Sequence, residues 1–478
     1  MKNIFYLSGI FLLIILMGSC EDFLDLEPPS ELVTGKVYNS ESDFDQAVLG
    51  CYAQLLGIYG NRWQIGDLRA DDMWQEAQNM TSQVLVDTYT GHTASDNIWN
   101  NGYSLIHYAN TALKKINDFE FNNKNSLIAE LKFLRAFVYF DFVRVFGDVP
   151  LIKEPVLPDE AMEIGRTDLN IIYEDLIIPD FKEAINNLPS HRTGEDIGRA
   201  TKGAATALLG KVYLTKKDFD NAETTLKSLT TMGYSLLADF NDIYDWNNNE
   251  HHSEYIFDIE YSSNPNIPGS SFTNNFSPNW DLYRAHFNIG GVLDNCGSPT
   301  EEFYNLFEEG DLRQPISVSH GFTGDDGVFI EIPLGANLPS TICLKYAVQV
   351  DNNGNGEANW TVIRYADVLL MLSEAMNENE KTNEALTYLN QVRERAGLEA
   401  LSGLTQAEMR NAIEKERRLE FFGEGNRWFD LVRWGKAYEV LESLGMKEYM
   451  VLWPIPQLQI DLIGNPDILP QNPGYEGL

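Results

Sequence analysis

The sequence predicts a mostly α-helical protein, in which paired helices stack as repeats and a loop-rich insertion carries a few short strands. Three observations predict it. Apolar residues recur at helical spacing in several segments of the 478-residue chain. Those segments come in pairs joined by short polar turns. Between residues 236 and 345 the periodicity gives way to Asn, Ser, Gly and Pro with scattered aromatics. A content of 44% hydrophobic and 12% aromatic residues is that of a folded chain able to bury a core. The net charge of -36 and the lack of any Lys/Arg block disfavour nucleic acid as a partner.

At the N-terminus, Lys2 is followed by the apolar run "IFYLSGIFLLIILM" and then by "GSC", the pattern of a secretory signal with small residues before the cut. The run is too short for a comfortable membrane span. A signal that ends on a cysteine looks like a bacterial lipoprotein signal, in which Cys20 receives the acyl chains. Residues 1–19 are therefore expected to be a signal peptide and 20–40 a polar, Pro-bearing lipidated tether, so that the mature protein is anchored to a membrane without spanning it. The remaining Cys51, Cys296 and Cys343 are odd in number and widely spaced, which fits buried free thiols better than a disulfide framework or a zinc site.

Residues 41–235 and 346–450 are expected to form the helical-repeat scaffold. The clearest pair is "RATKGAATALLGKVYLTKKDFDNAETTLKSL", with Ala204, Ala205, Ala207, Leu208, Val212 and Tyr213 before the turn and Phe219, Ala222 and Leu226 after it. "IRYADVLLMLSEAMNENEKTNEALTYLNQVRERAG" echoes it, with Leu369, Leu372 and Ala375 ahead of Ala385, Leu389, Val392 and Ala396. Small residues in one helix facing an aromatic and an alanine in the next are the tetratricopeptide style of packing, in which each pair buries its apolar face only against its neighbours. "FDQAVLGCYAQLLGIY" and "AELKFLRAFVYFDFVRVFG" have the same apolar density and supply further units. In the insertion, "EYIFDIEY" is the best strand. Residues 451–478 are expected to be irregular, because "LWPIPQLQIDLIGNPDILPQNPGY" is too Pro-rich for a helix.

The densest chemistry lies in "RRLEFFGEGNRWFDLVRW", residues 417–434, which holds acids, arginines and tryptophans but no Ser, Cys or His. With Glu416 before it, Glu420 and Glu424 follow at i, i+4 spacing and line one face of a helix if that helix is continuous. Paired carboxylates at such distances are what glycoside hydrolysis uses, which makes a lipoprotein hydrolase one reading. A general acid needs a raised pKa, however, and the neighbouring Arg417, Arg418, Arg427 and Arg433 would lower it. A scaffold of guanidinium–carboxylate pairs is the better reading, and no catalytic residue is expected. "DNNGNGEANW" starts like a calcium loop, but Val362 stands where the closing glutamate belongs. The adjacent His251 and His252 cannot share one face of a helix. No phosphate-cradling glycine loop or nucleophile elbow occurs, and the sequence implies no cofactor or metal.

The loops do carry aromatics beside short polar residues, a combination that suits the apolar C–H face and hydroxyl rim of a sugar. "LRADDMWQEA" holds Asp71, Asp72 and Trp74, "DTYTGH" holds Tyr89, and "PNWDLYR" holds Trp280, Tyr283 and Arg284. From loop position and chemistry, Trp74, Tyr89, Trp280, Tyr283 and Arg284 are the expected ligand-binding residues, and 236–345 the expected ligand-binding region.

Taken together and in order, "CEDFLDLEPPSE", "AELKFLRAFVYFDFVRVFGDVPLI", "SEYIFDIEY", "PTEEFYNLFEEGDLR", "VIRYADVLLMLSEA", "LNQVRERAGL", "RRLEFFGEGNRWFDLVRWG", "LWPIP" and "QNPGY" resemble the SusD/RagB family of outer-membrane nutrient-binding lipoproteins, over nearly the whole chain. The resemblance implies a right-handed superhelix of tetratricopeptide-like units and a non-enzymatic role in capturing glycans, or peptides in some relatives, at the cell surface. It implies a SusC-type TonB-dependent outer-membrane transporter as partner and a lipid anchor facing the cell exterior. Glu21 and Asp22, directly after Cys20, look like the family's surface-export signal. None of the shared motifs is a binding motif, so the resemblance assigns no ligand residue.

Overall fold

The computed structural model describes residues 38–74, 91–246, 248–264, 268–293, 296–333 and 338–476. Cys20, Glu21, Asp22 and Tyr89 lie outside the described residues.

Four helix pairs form the scaffold: α1 (Glu41–Tyr59) with α2 (Gly91–Lys115), α3 (Lys124–Val145) with α4 (Ile178–Asn187), α5 (Lys202–Thr215) with α6 (Phe219–Leu229), and, beyond the short α7 (Asp281–Phe287), α8 (Tyr365–Glu378) with α9 (Thr382–Arg395). Successive pairs stack, α2 on α3, α4 on α5 and α6 on α8, and α10 (Gln406–Glu420) closes the stack against α8 and α9. The stack is tetratricopeptide-like, as the spacing predicts. Local signals set the boundaries. Ser40 and Asp43 make a capping box on α1, Thr405 and Glu408 make another on α10, and Thr201 and Asp218 cap α5 and α6. The small residues of α5 are a packing requirement: a Cβ on Gly210 would stand 2.4 Å from Leu226 Cδ2, so α6 comes this close only because residue 210 has no side chain.

Although α6 packs on α8, the sequence between them makes a long excursion, and the predicted strand is its neck. β4 (Tyr255–Ile259) pairs antiparallel with β8 (Trp360–Arg364), with Ile259 opposite Trp360. The other strands are shorter. β1 (Met73–Trp74) pairs with β5 (Ser298–Pro299), β2 (Val149–Pro150) with β3 (Arg166–Thr167), and β6 (Gly321–Thr323) with β7 (Phe329–Glu331).

Three details differ from the sequence reading. The insertion does have a small core of its own, formed by Tyr283, Ile289, Leu293, Phe322, Ile342 and Val350. These residues are too scattered along the chain to show a period. The helix carrying Glu416 and Glu420 stops at Glu420, and a turn follows in which Gly423 and Gly425 take φ of 77° and 72° before α11 (Arg427–Trp434) begins. The C-terminal segment contains a helix, α12 (Gln457–Ile463), because its prolines flank the helix: Pro456 is the N-cap and Gly464 ends it with φ of 62°.

Cys51 and Cys343 are buried free thiols, both pushed up to about 12 by burial, while Cys296 is half-buried.

Candidate ligand surface and the charge network beneath it

Glu416, Glu420 and Glu424 are buried, Glu420 with 0% of its surface exposed. Their partners are not the arginines beside them in sequence but cations brought in from elsewhere. Arg313 of the insertion donates to Glu416 at 2.6 Å and to Glu420 at 3.1 Å. Arg364, at the end of β8, donates to Glu420 at 2.6 Å and grips Glu424 through Nε and Nη2 at 2.8 and 3.0 Å. Arg395 completes the set on Glu420, Arg393 reaches Glu416 at 3.2 Å, and Lys345 reaches Glu424 at 2.9 Å. Glu254 and Asp311 supply two more carboxylates. Five cations (Arg313, Lys345, Arg364, Arg393, Arg395) thus meet five anions (Glu254, Asp311, Glu416, Glu420, Glu424), and the buried cluster is close to neutral.

Burial alone would push the Glu420 carboxyl up, but Arg395, Arg364 and Arg313 outweigh it and hold it well below the usual carboxylate range. Burial likewise raises Glu424, and Arg364 and Lys345 bring it down. Glu420 and Glu424 are therefore held as anions, each bonded to cations, and have no proton to give a leaving group.

The arginines of 417–434 turn outward to other acids. Arg417 donates to Asp367 at 2.7 Å and Asp430 at 2.8 Å, and Arg433 to Glu374 and Asp430. Arg418 clamps Asp72 through Nε at 2.8 Å, and Arg427 clamps Asp71 through Nε and Nη2 at 2.8 and 2.9 Å. Asp71 and Asp72 directly precede Met73–Trp74, so these arginines fix the start of the segment that carries Trp74. The Asp71 and Asp72 carboxylates are engaged in these ion pairs.

Trp74 is half-buried in β1 opposite Ser298. Two residues before Ser298, the Cys296 N–H donates to the Asn275 carbonyl at 2.7 Å, which ties this edge to the segment leading into Trp280. Trp280 is the N-cap of α7, half-buried, with its ring centroid 5.3 Å from that of Phe322 in an edge-on contact. Tyr283 has no exposed surface and belongs to the small core, so its ring is packing and cannot meet a ligand here. The alternation within one helical turn, Trp280 outward and Tyr283 inward, is what loop composition could not reveal. Arg284 is half-buried and spends Nη1 on the Gly291 carbonyl at 2.9 Å, closing the turn after α7. Asn353 of the calcium-like stretch does similar work, accepting the Val292 N–H at 2.7 Å. Sequence reasoning missed the apolar groups exposed on the insertion: Leu282, Val292, Val328 and Phe329 are each about half exposed or more. Their one sequence signal is apolar residues in a segment otherwise rich in Asn, Gly and Asp.

Loss of the Arg427 clamp is expected to loosen the Trp74 segment while the deeper cluster persists. Arg427→Ala should raise hydrogen exchange in residues 70–74 well before it does so in α8 or α10. Equal protection in 70–74 would show that β1–β5 pairing alone holds them. The carboxylates also set a pH response. Glu420, Glu424, Asp367 and Asp430 have lowered pKa values, so the stability they contribute is present above about pH 4 and is lost as pH falls through their folded values. Asp67 and Asp258 are raised, chiefly by burial, and act in the opposite sense, losing stability as pH rises above about 4. The unfolding midpoint should accordingly be level or rise slightly from pH 7 to about 5 and drop steeply below about 4; a midpoint indifferent to pH 3 would show that the buried acids are not ionised.

A helical-repeat scaffold, a loop unit bolted to it through buried ion pairs, and partly exposed tryptophans on that unit and on the strand paired with it define a binding protein whose buried glutamates serve the architecture. The chain belongs to the SusD/RagB family. The model of the SusD family matches residues 338–445, and one described as starch-binding associating with outer membrane matches residues 22–214. SusD-like protein P2 of Formosa agariphila is 29% identical, across 98% of this chain and 99% of its own length. SusD-like protein P25 of the same organism is 28% identical, across 96% of this chain and 97% of its own. Among solved structures, a laminarin binding SusD-like protein is 26% identical, with a TM-score of 0.78 over 92% of this chain and the whole of that one.

Proposed function

We propose that this protein captures an oligo- or polysaccharide at the cell surface on aromatic residues of its insertion and of the strand paired with it, Trp280 and Trp74, and delivers it to a SusC-type TonB-dependent transporter in the outer membrane. The observation that carries the reading is the near full-length likeness to a laminarin binding SusD-like protein. The partly exposed indoles of Trp280 and Trp74 supply the chemistry, since a flat ring stacks on a sugar face without charge. Tyr89 and Arg284 remain part of the proposed surface, Arg284 through its half-buried guanidinium. The loop unit of residues 236–345 presents the ligand, and the repeats on either side hold it. The protein's role is read as non-enzymatic, because Glu420 and Glu424, acids of the hydrolase reading, are held as anions paired with cations.

Binding is tested on a glycan array that includes laminarin, followed by titration calorimetry with the best ligand. Saturable binding of one glycan class supports the reading; binding of peptides and of no glycan would replace it with a peptide-capturing role.

The lipid anchor at Cys20 and the outward-facing position belong to the same proposal. Buried acyl methylenes contribute about 0.8 kcal/mol each, so several chains hold a protein far more firmly than one. Cys20→Ala should move the protein to the soluble fraction; a variant that still sediments with membranes and incorporates labelled palmitate would contradict lipidation there.

A further inference from the structure

The scaffold contains a cleft of about 330 Å³ that the glycan surface does not use, lined at its mouth by Leu169, Asn170 and Lys216 and deeper by Lys211, Met371 and Arg417. None of Trp74, Trp280 or Arg284 lines it. Its size lies at the lower end of small-ligand sites. In a chain of net charge -36, its charge is out of character. Arg144, Lys211, Lys216, Arg417 and Arg433 line it, with Arg62 behind Arg144 on their shared Asp141, and Asp367, Asp430 and Glu374 are the other acids paired with them. The fifth acid, Glu174, pairs with Lys216 from a side chain that is 62% exposed, where solvent weakens the pair.

Several donors here are only partly used. Arg417 is 2% exposed, with Nε on Asp430 and Nη1 on Asp367, and its Nη2 has no acceptor among the described residues. Arg144 spends Nε on the Phe140 carbonyl and Nη2 on Asp141, leaving Nη1 likewise without one. Lys211 gives two of its three donors, to Asp367 at 3.0 Å and Asn426 at 2.9 Å. Burial lowers the Lys211 pKa, Asp367 opposes that, and the charges of Arg144 and Arg417 lower it further, so an added anion would relieve the site. The remaining walls are largely apolar, from the aliphatic Leu169, Leu214, Met371, Val432 and Leu452 and the aromatic Tyr173 and Phe429.

We propose that this cleft is a second binding site, for an anionic sugar unit, with its carboxylate or sulfate on the spare Arg144, Lys211 and Arg417 donors and its C–H face on the apolar wall. A second cleft of about 380 Å³, which carries Trp434, adjoins it and shares the wall residues Leu214 and Arg433.

The test uses the full folded chain labelled with ¹³C-methyl methionine. The Met371 methyl, identified by its loss in Met371→Leu, reports on the cleft directly. Titration with glucuronate or glucose 6-sulfate is expected to shift it saturably, and glucose at matched ionic strength to leave it in place. Lys216→Glu, which puts a negative charge at the mouth, should weaken both acidic sugars about tenfold or more, which is about 1.4 kcal/mol. Asn170→Trp, which narrows the mouth without a charge, should do the same, and thermal melts confirm that both variants fold. A response to glucuronate but not to glucose 6-sulfate, or the reverse, supports the site and names its anion. No shift with either acidic sugar, an equal shift with glucose, or unchanged affinity in both variants would overturn the proposal. Full displacement of the sugar signal by inorganic sulfate at equal concentration would reduce the site to a simple anion pocket and overturn the assignment to sugar.

Discussion

Replacing Glu420 with glutamine is expected to destabilise the folded chain by about 3–5 kcal/mol, the cost of removing one member of a buried ion-pair network. Glu420 is fully buried and accepts from three guanidiniums, those of Arg313, Arg364 and Arg395. A neutral amide leaves the cluster with five cations against four anions and turns an NH₂ group toward donors that need an acceptor. Because Arg313 lies in the insertion, Arg364 at its neck and Arg395 in α9, the damage should cross the whole joint between loop unit and repeats. Thermal and urea melts check this. Lys153→Ala is a useful contrast: its pair with Asp175 leaves both side chains about half exposed, and the melt should not move measurably. An unchanged melt for Glu420→Gln would remove the charge network from its place in the account.

The second large effect is on affinity. Trp280→Ala and Trp74→Ala are each expected to weaken binding of the array-selected glycan roughly 30-fold, or about 2 kcal/mol, as loss of a central aromatic contact does. Their effects on stability should differ in origin from those of core tryptophans. Trp280 gives up an edge-on contact with Phe322, worth about 0.5–1.5 kcal/mol, whereas a fully buried ring such as Trp428 or Trp360 would cost about 3–5 kcal/mol. Calorimetry and melts on the same samples separate the two quantities. Unaltered affinity with a large loss of stability would make Trp74 and Trp280 packing residues and place the ligand elsewhere on the loop unit.

The repeats were legible because helices that stack must repeat their small and apolar residues at fixed spacing, as Ala204, Ala207 and Leu208 do. The partners of two of them were not. α2, "GHTASDNIWNNGYSLIHYANTALKK", has an apolar stripe diluted by Asn, Ser and Thr, and its partner α1 alone shows the density of a core helix. The ion-pair cluster was legible in kind and not in pairing. Like charges at i, i+4 demand counter-charges, but nothing local shows that Arg313 and Arg364, 107 and 56 residues from Glu420, supply them. Tyr283 shows the corresponding limit at the ligand surface: composition marks a loop as polar, and only the fold tells which of its aromatics the loop uses to hold itself together.

The most direct test of the central claim is to follow the selected polysaccharide through a binding cycle with the purified protein, measuring its saturable uptake and, after release, its reducing ends and chain length. Saturable binding that is weakened in Trp280→Ala is expected, with the polysaccharide recovered at its original length. New reducing ends that appear with the wild-type protein and vanish in Glu420→Gln or Glu424→Gln, both still folded, would contradict it and make the buried carboxylates catalytic.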